Sequence, residues 1–502
     1  MCAAELTACE GACIDTSADV NNCGGCGITC ASHESCAGGV CQYENDDCGP
    51  LAVNVSIASV TLTQGVEAQL FDGQSAVAAQ DRAVDVIAGR EALVRVHVAP
   101  SVGFSAREIS ARLFVENDGD VEVIYEKKRL TGSASSTQDL DSTFNLSLPE
   151  TAINEDTEYW VELAECEAAP AGESEGARAP NLGQSPLAAI RTGQVKVLIV
   201  PIRHEGIVPD TSEETLALYA DAMAAMYPTT GVEISVTDEI ESGETGNRPN
   251  METLLTLVTD HRATLDLENE VYLYGMIDPA ASFSAYCGQA CTTGVGWVLE
   301  GVGPFTAMNR AAVGVGFGNF GVGTFVHEVG HNHGRFHAPC GVQGDPYVDT
   351  NFPHTDATIG VWGYDRRSQS LKSPQATADF LSYCEPTWIS DYTFNALAER
   401  ITALSGPAAV ANKSGSARVD QLWQRILVTS QEASWLKPVR GPSPSGPSAE
   451  LAAIYDQSGQ LVAKVPVYRV EMADARGAMI YVPSAEPGWT AIELADGTGL
   501  AY

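Results

Sequence analysis

The segment Thr324-Phe-Val-His327-Glu328-Val-Gly-His331-Asn-His-Gly334-Arg-Phe-His337 decides how the centre of this 502-residue chain is read. On a helix, His327 and His331 lie one turn apart on the same face, where two imidazoles converge on one metal ion. Glu328 adjoins the first of them without being a ligand. Gly334 adopts a left-handed backbone at no side-chain penalty, so it ends the helix and turns the chain back to deliver His337 as a third ligand. Three neutral imidazoles leave the fourth position of a zinc ion open, as in catalytic rather than structural sites. The reaction this predicts is peptide-bond hydrolysis by activated water, with Glu328 taking the proton and returning it to the leaving amine. A core helix that merely contains histidines is the competing reading; it leaves the joint spacing of three histidines, a glutamate and a glycine unexplained.

Working outward, the apolar strands Val195–Ile202 and Val271–Ile277 flank a helix predicted over Ser212–Met226, which opens on a capping serine with acidic residues in its first turn. This mixture predicts an α/β or α+β catalytic domain over residues 191–405. Downstream, short alternating segments near 425–429, 465–470 and 478–482, with the breaker run Gly441-Pro-Ser-Pro-Ser-Gly-Pro-Ser, predict a small β-rich C-terminal domain over 406–502. Upstream, β-branched runs from Val53, Ala92 and Tyr159 predict a β-sandwich domain over 49–190, its acidic Pro/Gly-rich residues 168–186 serving as an exposed loop or linker. Residues 1–48 lack lysine, arginine and apolar periodicity, and need covalent staples. The expected fold class is therefore multidomain: a disulfide-rich N-terminal module, a β-sandwich, the catalytic domain and a small β-rich domain.

The complete string from His327 to His337 resembles the extended zinc motif of the metzincin metallopeptidases. That resemblance implies a twisted sheet, a zinc helix, a cleft, and a methionine-containing turn beneath the metal. The best match to the turn is Asp379-Phe-Leu381-Ser-Tyr383-Cys384, with leucine in place of methionine, a nearly volume-conserving change. By the same resemblance, Tyr383 matches a tyrosine that acts as switching ligand and oxyanion stabiliser; its alternative role is a half-buried core tyrosine. Arg335-Phe-His-Ala-Pro-Cys340-Gly, Gly360-Val-Trp-Gly-Tyr364 and the run from Tyr383 to Tyr392 are similar to large secreted bacterial metzincins, some of which degrade mucin-type glycoproteins. In the N-terminal segment, the pattern from Cys9-Glu-Gly-Ala-Cys13 through Cys23-Gly-Gly-Cys26 and Cys30 to Cys41 resembles the stigma-specific-protein type of cysteine-rich module.

Fourteen cysteines, nine of them within the first 48 residues, suit an oxidising compartment, so a secreted or cell-surface location is expected. Cys340 and Cys384 flank the zinc string and the turn, Cys287 and Cys291 are close enough to staple one loop, and Cys48 and Cys166 remain once the first 41 residues form four bridges. Connectivity stays open at this level. A zinc knuckle at Cys23-x-x-Cys26, a free N-terminal cysteine blocking the metal, and lipid on Cys2 are the alternatives. Sixty-five Asp and Glu against 28 Lys and Arg give a net charge of −37, which repels nucleic-acid phosphates and anionic lipid. No stretch reaches the roughly 18–20 apolar residues of a membrane span. No basic start with an apolar run is visible either, so a signal peptide is expected to have been removed or the start to be misplaced.

The expected cofactor is one catalytic Zn2+; Ca2+ at acidic turns such as Asp118-Gly-Asp120 competes with plain solvated turns. The expected partner is a protein or glycoprotein substrate. His333, off the shared face, reads as a surface residue or a neighbour of the ligands, and His204, His261 and His354 show no ligand spacing. The glycine-rich residues 294–323 read as a rim strand that pairs with an extended substrate, or as flexible loops around short strands. Sequons at Asn54, Asn145 and Asn412 do not bear on function. A second function class is a surface- or glycan-binding protein whose peptidase-like domain is inactive or secondary, suggested by the flanking β segments and Leu381.

Overall fold

Alternating β-branched segments of the first 190 residues pair into two antiparallel sheets. One runs Phe144–Leu148, Ala92–Pro100, Val55–Thr63, Glu67–Phe71; the other runs Arg178–Ala179, Glu158–Glu165, Arg107–Asn117, Asp120–Leu130. Period-2 patterning drives their inner faces inward: Val94, Val96, Val98, Leu113, Val115, Tyr159, Val161 and Leu163 are all buried. The buried Tyr159 hydroxyl donates to the Leu70 carbonyl of the other sheet at 2.8 Å. The structure is a computed structural model describing the chain except residues 1, 3–5, 10–11, 31–33, 38, 44–45, 169, 289–290, 345–346, 412–419, 431 and 445–449. The sequon at 412 and the latter part of the breaker run from Gly441 therefore lie outside the described residues. The chain divides into two compact units, 1–191 and 192–502.

The segment expected as a linker is partly strand. Arg178–Ala179 and Ser185–Pro186 both pair with Glu158–Glu165, and Ala177 and Ala179 are fully buried. Small side chains let this backbone sit inside, and a buried backbone has to be hydrogen-bonded. Asp118 and Gly119, at φ 52° and 88°, make the two-residue turn between paired Asn117 and Asp120, a geometry that favours Asp-Gly without any ion.

Cysteine pairing is extensive. Bridges among the described residues include Cys2–Cys13, Cys9–Cys26, Cys23–Cys36, Cys48–Cys166, Cys287–Cys291 and Cys340–Cys384, and no cysteine among them is free. This overturns three alternatives together. Cys23 and Cys26 are tied to different partners and form no knuckle, Cys2 has no thiol to lipidate, and no free N-terminal thiol is present to block a metal.

The second unit is built on one sheet. Val232–Val236, Val195–Arg203, Val271–Ile277 and Ala311–Val315 run parallel in that order, and Gly294–Val298 lies antiparallel beside the last. Near-continuous apolar runs suit strands buried on both faces. The predicted helix spans Glu213–Met226, with the Ser212 hydroxyl accepting from the Thr215 N–H at 3.4 Å. Beyond residue 405 the predicted strands form, as Asp420–Val428, Ala433–Pro442, Leu461–Met472 and Gly477–Pro483. Leu461–Met472 pairs antiparallel with Gly294–Val298, so the sheet is continuous across 405. A shared core that includes Leu254, Val258, Trp297, Trp423, Met472 and Tyr481 seals that junction.

Candidate metal centre

The helix Asn319–Asn332, which carries the first two histidines of the string, packs against the strands Ala311–Val315 and Gly294–Val298. Two contacts pin it. The fully buried Asn332 amide donates to the Trp297 and Ala311 carbonyls, both at 2.9 Å, and the Tyr227 hydroxyl donates to the Val326 carbonyl at 2.8 Å. The helix ends at His333, and Gly334 follows at φ 84°. A Cβ at 334 would stand 2.6 Å from the Leu299 carbonyl oxygen and closer still to the Arg400 guanidinium, so only glycine makes this reversal.

After the reversal, His337 is held in extended pairing with residues 347–349. Its N–H donates to the Tyr347 carbonyl at 3.0 Å and its carbonyl accepts from the Asp349 N–H at 2.8 Å. Arg335 locks the turn, bonding Asp349 at 2.9 Å beneath the Tyr392 ring, whose hydroxyl reaches the same carboxylate at 3.0 Å.

The three imidazoles converge. His327 Nε2 lies 3.0 Å from His331 Nε2 and 3.4 Å from His337 Nε2. A tetrahedral site with about 2.0–2.1 Å metal–nitrogen bonds has vertices about 3.3 Å apart, so these separations fit one ion. His327 Nδ1 faces the Phe380 carbonyl at 2.8 Å and His331 Nδ1 the Arg335 carbonyl at 2.7 Å. A carbonyl only accepts, so each Nδ1 carries the proton and each Nε2 lone pair points at the centre. Burial pushes His331 down to about 4, keeping it neutral near pH 7 as a ligand must be.

Glu328 is buried beside the centre, and burial, then the charge of the neighbouring Asp474, hold its carboxyl well above the usual range. It lies so close to the strand Gly294–Val298 that a Cβ at 294 would stand 2.4 Å from its Oε1. Glu328 Oε2 and Asp474 Oδ2 are both buried and take no hydrogen bond among the described residues. Two such orphaned oxygens beside three inward-facing nitrogens suit a cation. The group His327, His331, His337 and Asp474 could hold a metal ion.

Below the helix, Asp379-Phe-Leu381 forms the floor. Leu381 is buried, and Leu381 and Phe380 press so closely on Gly330 that a Cβ there would stand 3.0 Å from each. The Cys340–Cys384 bridge ties this floor to the segment after His337. Tyr383 is 51% exposed, which rules out a core role; its ring centre is 5.0 Å from that of His337, and its hydroxyl donates to Asp474. A cavity of about 450 Å3 opens here, lined among others by His327, Glu328, Phe320, Arg367, Tyr383 and Trp388.

His333 is no surface residue. It is buried, stacked on Tyr272 at 4.4 Å between ring centres, with Nδ1 on the Val329 carbonyl at 2.8 Å, and burial pushes it down to about 3. The residue that sequence reasoning missed is Asp474. It sits in the turn after Leu461–Met472, remote in sequence from the histidine string, so no local spacing could announce it.

Comparison with known proteins adds four findings. Residues 1–44 match the stigma-specific STIG1-like protein family, and residues 303–391 match Peptidase M66. A 102-residue stretch, 20% of this chain, is 28% identical to Dictomallein-1 of Dictyostelium discoideum and covers 16% of that protein. The crystal structure of metalloproteinase-II from Bacteroides fragilis aligns over 54% of this chain and 78% of that one, at 11% identity and a TM-score of 0.23, too distant to inform the fold. The Peptidase M66 match spans all three converging histidines, and together they support a metallopeptidase.

Proposed function

We propose that this chain is a secreted zinc-dependent endopeptidase of metzincin type that cleaves extracellular proteins or glycoproteins. The observation that carries the reading is the convergence of His327, His331 and His337, two of them with Nδ1 fixed on backbone carbonyls, beside a buried glutamate. The disulfides among the described residues and the absence of any described helix long and apolar enough to cross a membrane are compatible with an extracellular place. We assign residues 1–48 to a cysteine-rich module, 49–190 to a β-sandwich, 191–405 to the peptidase domain and 406–502 to a β-rich appendage.

Zinc held by the three imidazoles would supply Lewis-acid polarisation of water and of the scissile carbonyl. Glu328 accepts the proton from water and hands it to the leaving nitrogen. The exposed Tyr383 hydroxyl steadies the developing oxyanion. The Glu328→Ala variant tests this assignment. It should retain metal and fold but lose cleavage of casein or mucin by at least about 100-fold, the lower end for a general base. Undiminished proteolysis by the variant would remove Glu328 from the chemistry.

A further inference from the structure

Asp474 lies in the turn joining Leu461–Met472 to Gly477–Pro483, and its backbone is left-handed at φ 61°. Its carboxylate oxygens are 3.2 Å from His331 Nε2, 3.3 Å from His337 Nε2 and 3.6 Å from His327 Nε2. The 3.2 and 3.6 Å distances belong to Oδ2 and the 3.3 Å distance to Oδ1, so the carboxylate caps the open side of the three imidazoles, where a fourth ligand of one ion would stand. The strand leading to it is placed just as specifically. Leu461–Met472 pairs antiparallel with Gly294–Val298 through Trp297 opposite Met472 and Val298 opposite Glu471, and the Ala473 N–H donates to the Gly296 carbonyl at 2.8 Å. A strand edge that could take an extended peptide therefore carries the chain's own strand. The Tyr347 hydroxyl, on the segment that pairs with His337, adds a bond to Glu471 at 2.8 Å.

We infer that Asp474 is a fourth protein ligand of the metal, delivered by a hairpin that lies on the cleft as a peptide would, so that this conformation is closed to substrate. The inference rests on the metallopeptidase reading of the same histidines. Opening requires the turn at 473–476 to withdraw, which frees the fourth metal position, the Tyr383 hydroxyl and the Gly296 carbonyl together. A left-handed aspartate costs little to hold, whereas a non-polar residue there would offer the metal nothing.

The test uses the full chain loaded with cobalt(II), comparing wild type with Asp474→Ala and Asp474→Asn, the latter keeping the side-chain shape in case the alanine variant unfolds. Azide, a small anion that colours cobalt on binding, probes the fourth position, and the rate of cobalt loss to a chelator probes its retention. Both variants should bind azide at least about tenfold more tightly than wild type and lose cobalt at least about tenfold faster, since even outer partners of metal ligands change affinity 10–100-fold. Equal azide affinity and equal loss rates in proteins that all hold one cobalt would overturn the inference and leave the three-histidine site intact. A wild type that holds no stoichiometric metal would overturn the metallopeptidase reading as well.

Discussion

At the scale of the residue, the centre depends on Gly334 as much as on the groups that face the metal. Gly334→Ala forces a Cβ against the Leu299 carbonyl at a positive φ, and should cost more than about 1 kcal/mol while pulling His337 off the centre. Thermal unfolding and zinc titration would read both losses, and a variant with wild-type midpoint and affinity would show that the reversal does not need glycine. A second residue belongs to the first unit. His97 is buried, its Nε2 unbonded among the described residues, and burial, then the Arg95 charge, push it from 6.5 to about 4. The unfolded chain binds this proton between about pH 6.5 and 4 while the folded chain does not, so stability is lost as pH falls through that window. At 1.36 kcal/mol per pH unit the loss is about 3 kcal/mol, and His97→Gln should flatten that part of the denaturant-unfolding profile; an unchanged slope would assign the proton elsewhere. His327, Glu328 and His331 were legible because helix geometry turns spacing into position, and His337 because the glycine at 334 permits the reversal that brings it back. Asp474 was not, since only the path of a hairpin brings it there.

At the scale of the element, the floor segment shows how a short turn can govern a helix. The buried Asp379 accepts from the Leu381 N–H at 2.9 Å and the Ser390 N–H at 3.0 Å, and through this turn the Phe380 carbonyl is aimed at His327 Nδ1. Asp379→Ala takes the buried acceptor from two backbone N–H groups and from the Ser390 hydroxyl, each unpaired donor costing about 1–3 kcal/mol, and should weaken metal binding as His327 loses its orientation. Calorimetric unfolding with and without zinc separates the two effects. A variant with a lower midpoint but wild-type zinc affinity would show that the floor supports the fold and not the histidine. Segment-level reading succeeded where period and capping agreed, as in Val271–Ile277 and the helix capped by Ser212. It failed for the segment 168–186, where small acidic composition suggested a linker but two short strands complete a sheet. Composition reports what a backbone can tolerate, not whether a neighbour needs its hydrogen bonds.

At the scale of the whole molecule, the strands beyond residue 405 extend the sheet that carries the histidine helix and place a carboxylate at its centre. Strand pairing across such a separation leaves no local signal, so a β-rich tail was legible and its attachment was not. The charge of −37 disfavours non-specific polyanion binding by repulsion but leaves the choice of peptide substrate open. The central claim, that the histidine centre hydrolyses peptide bonds through a bound metal, is tested most directly by mass spectrometry of casein and a mucin incubated with the full chain. The digests would be run as purified, after chelation, and after zinc is restored. The account predicts new internal termini that vanish on chelation and return with zinc. Cleavage that persists undiminished in the chelated, metal-free protein would contradict it.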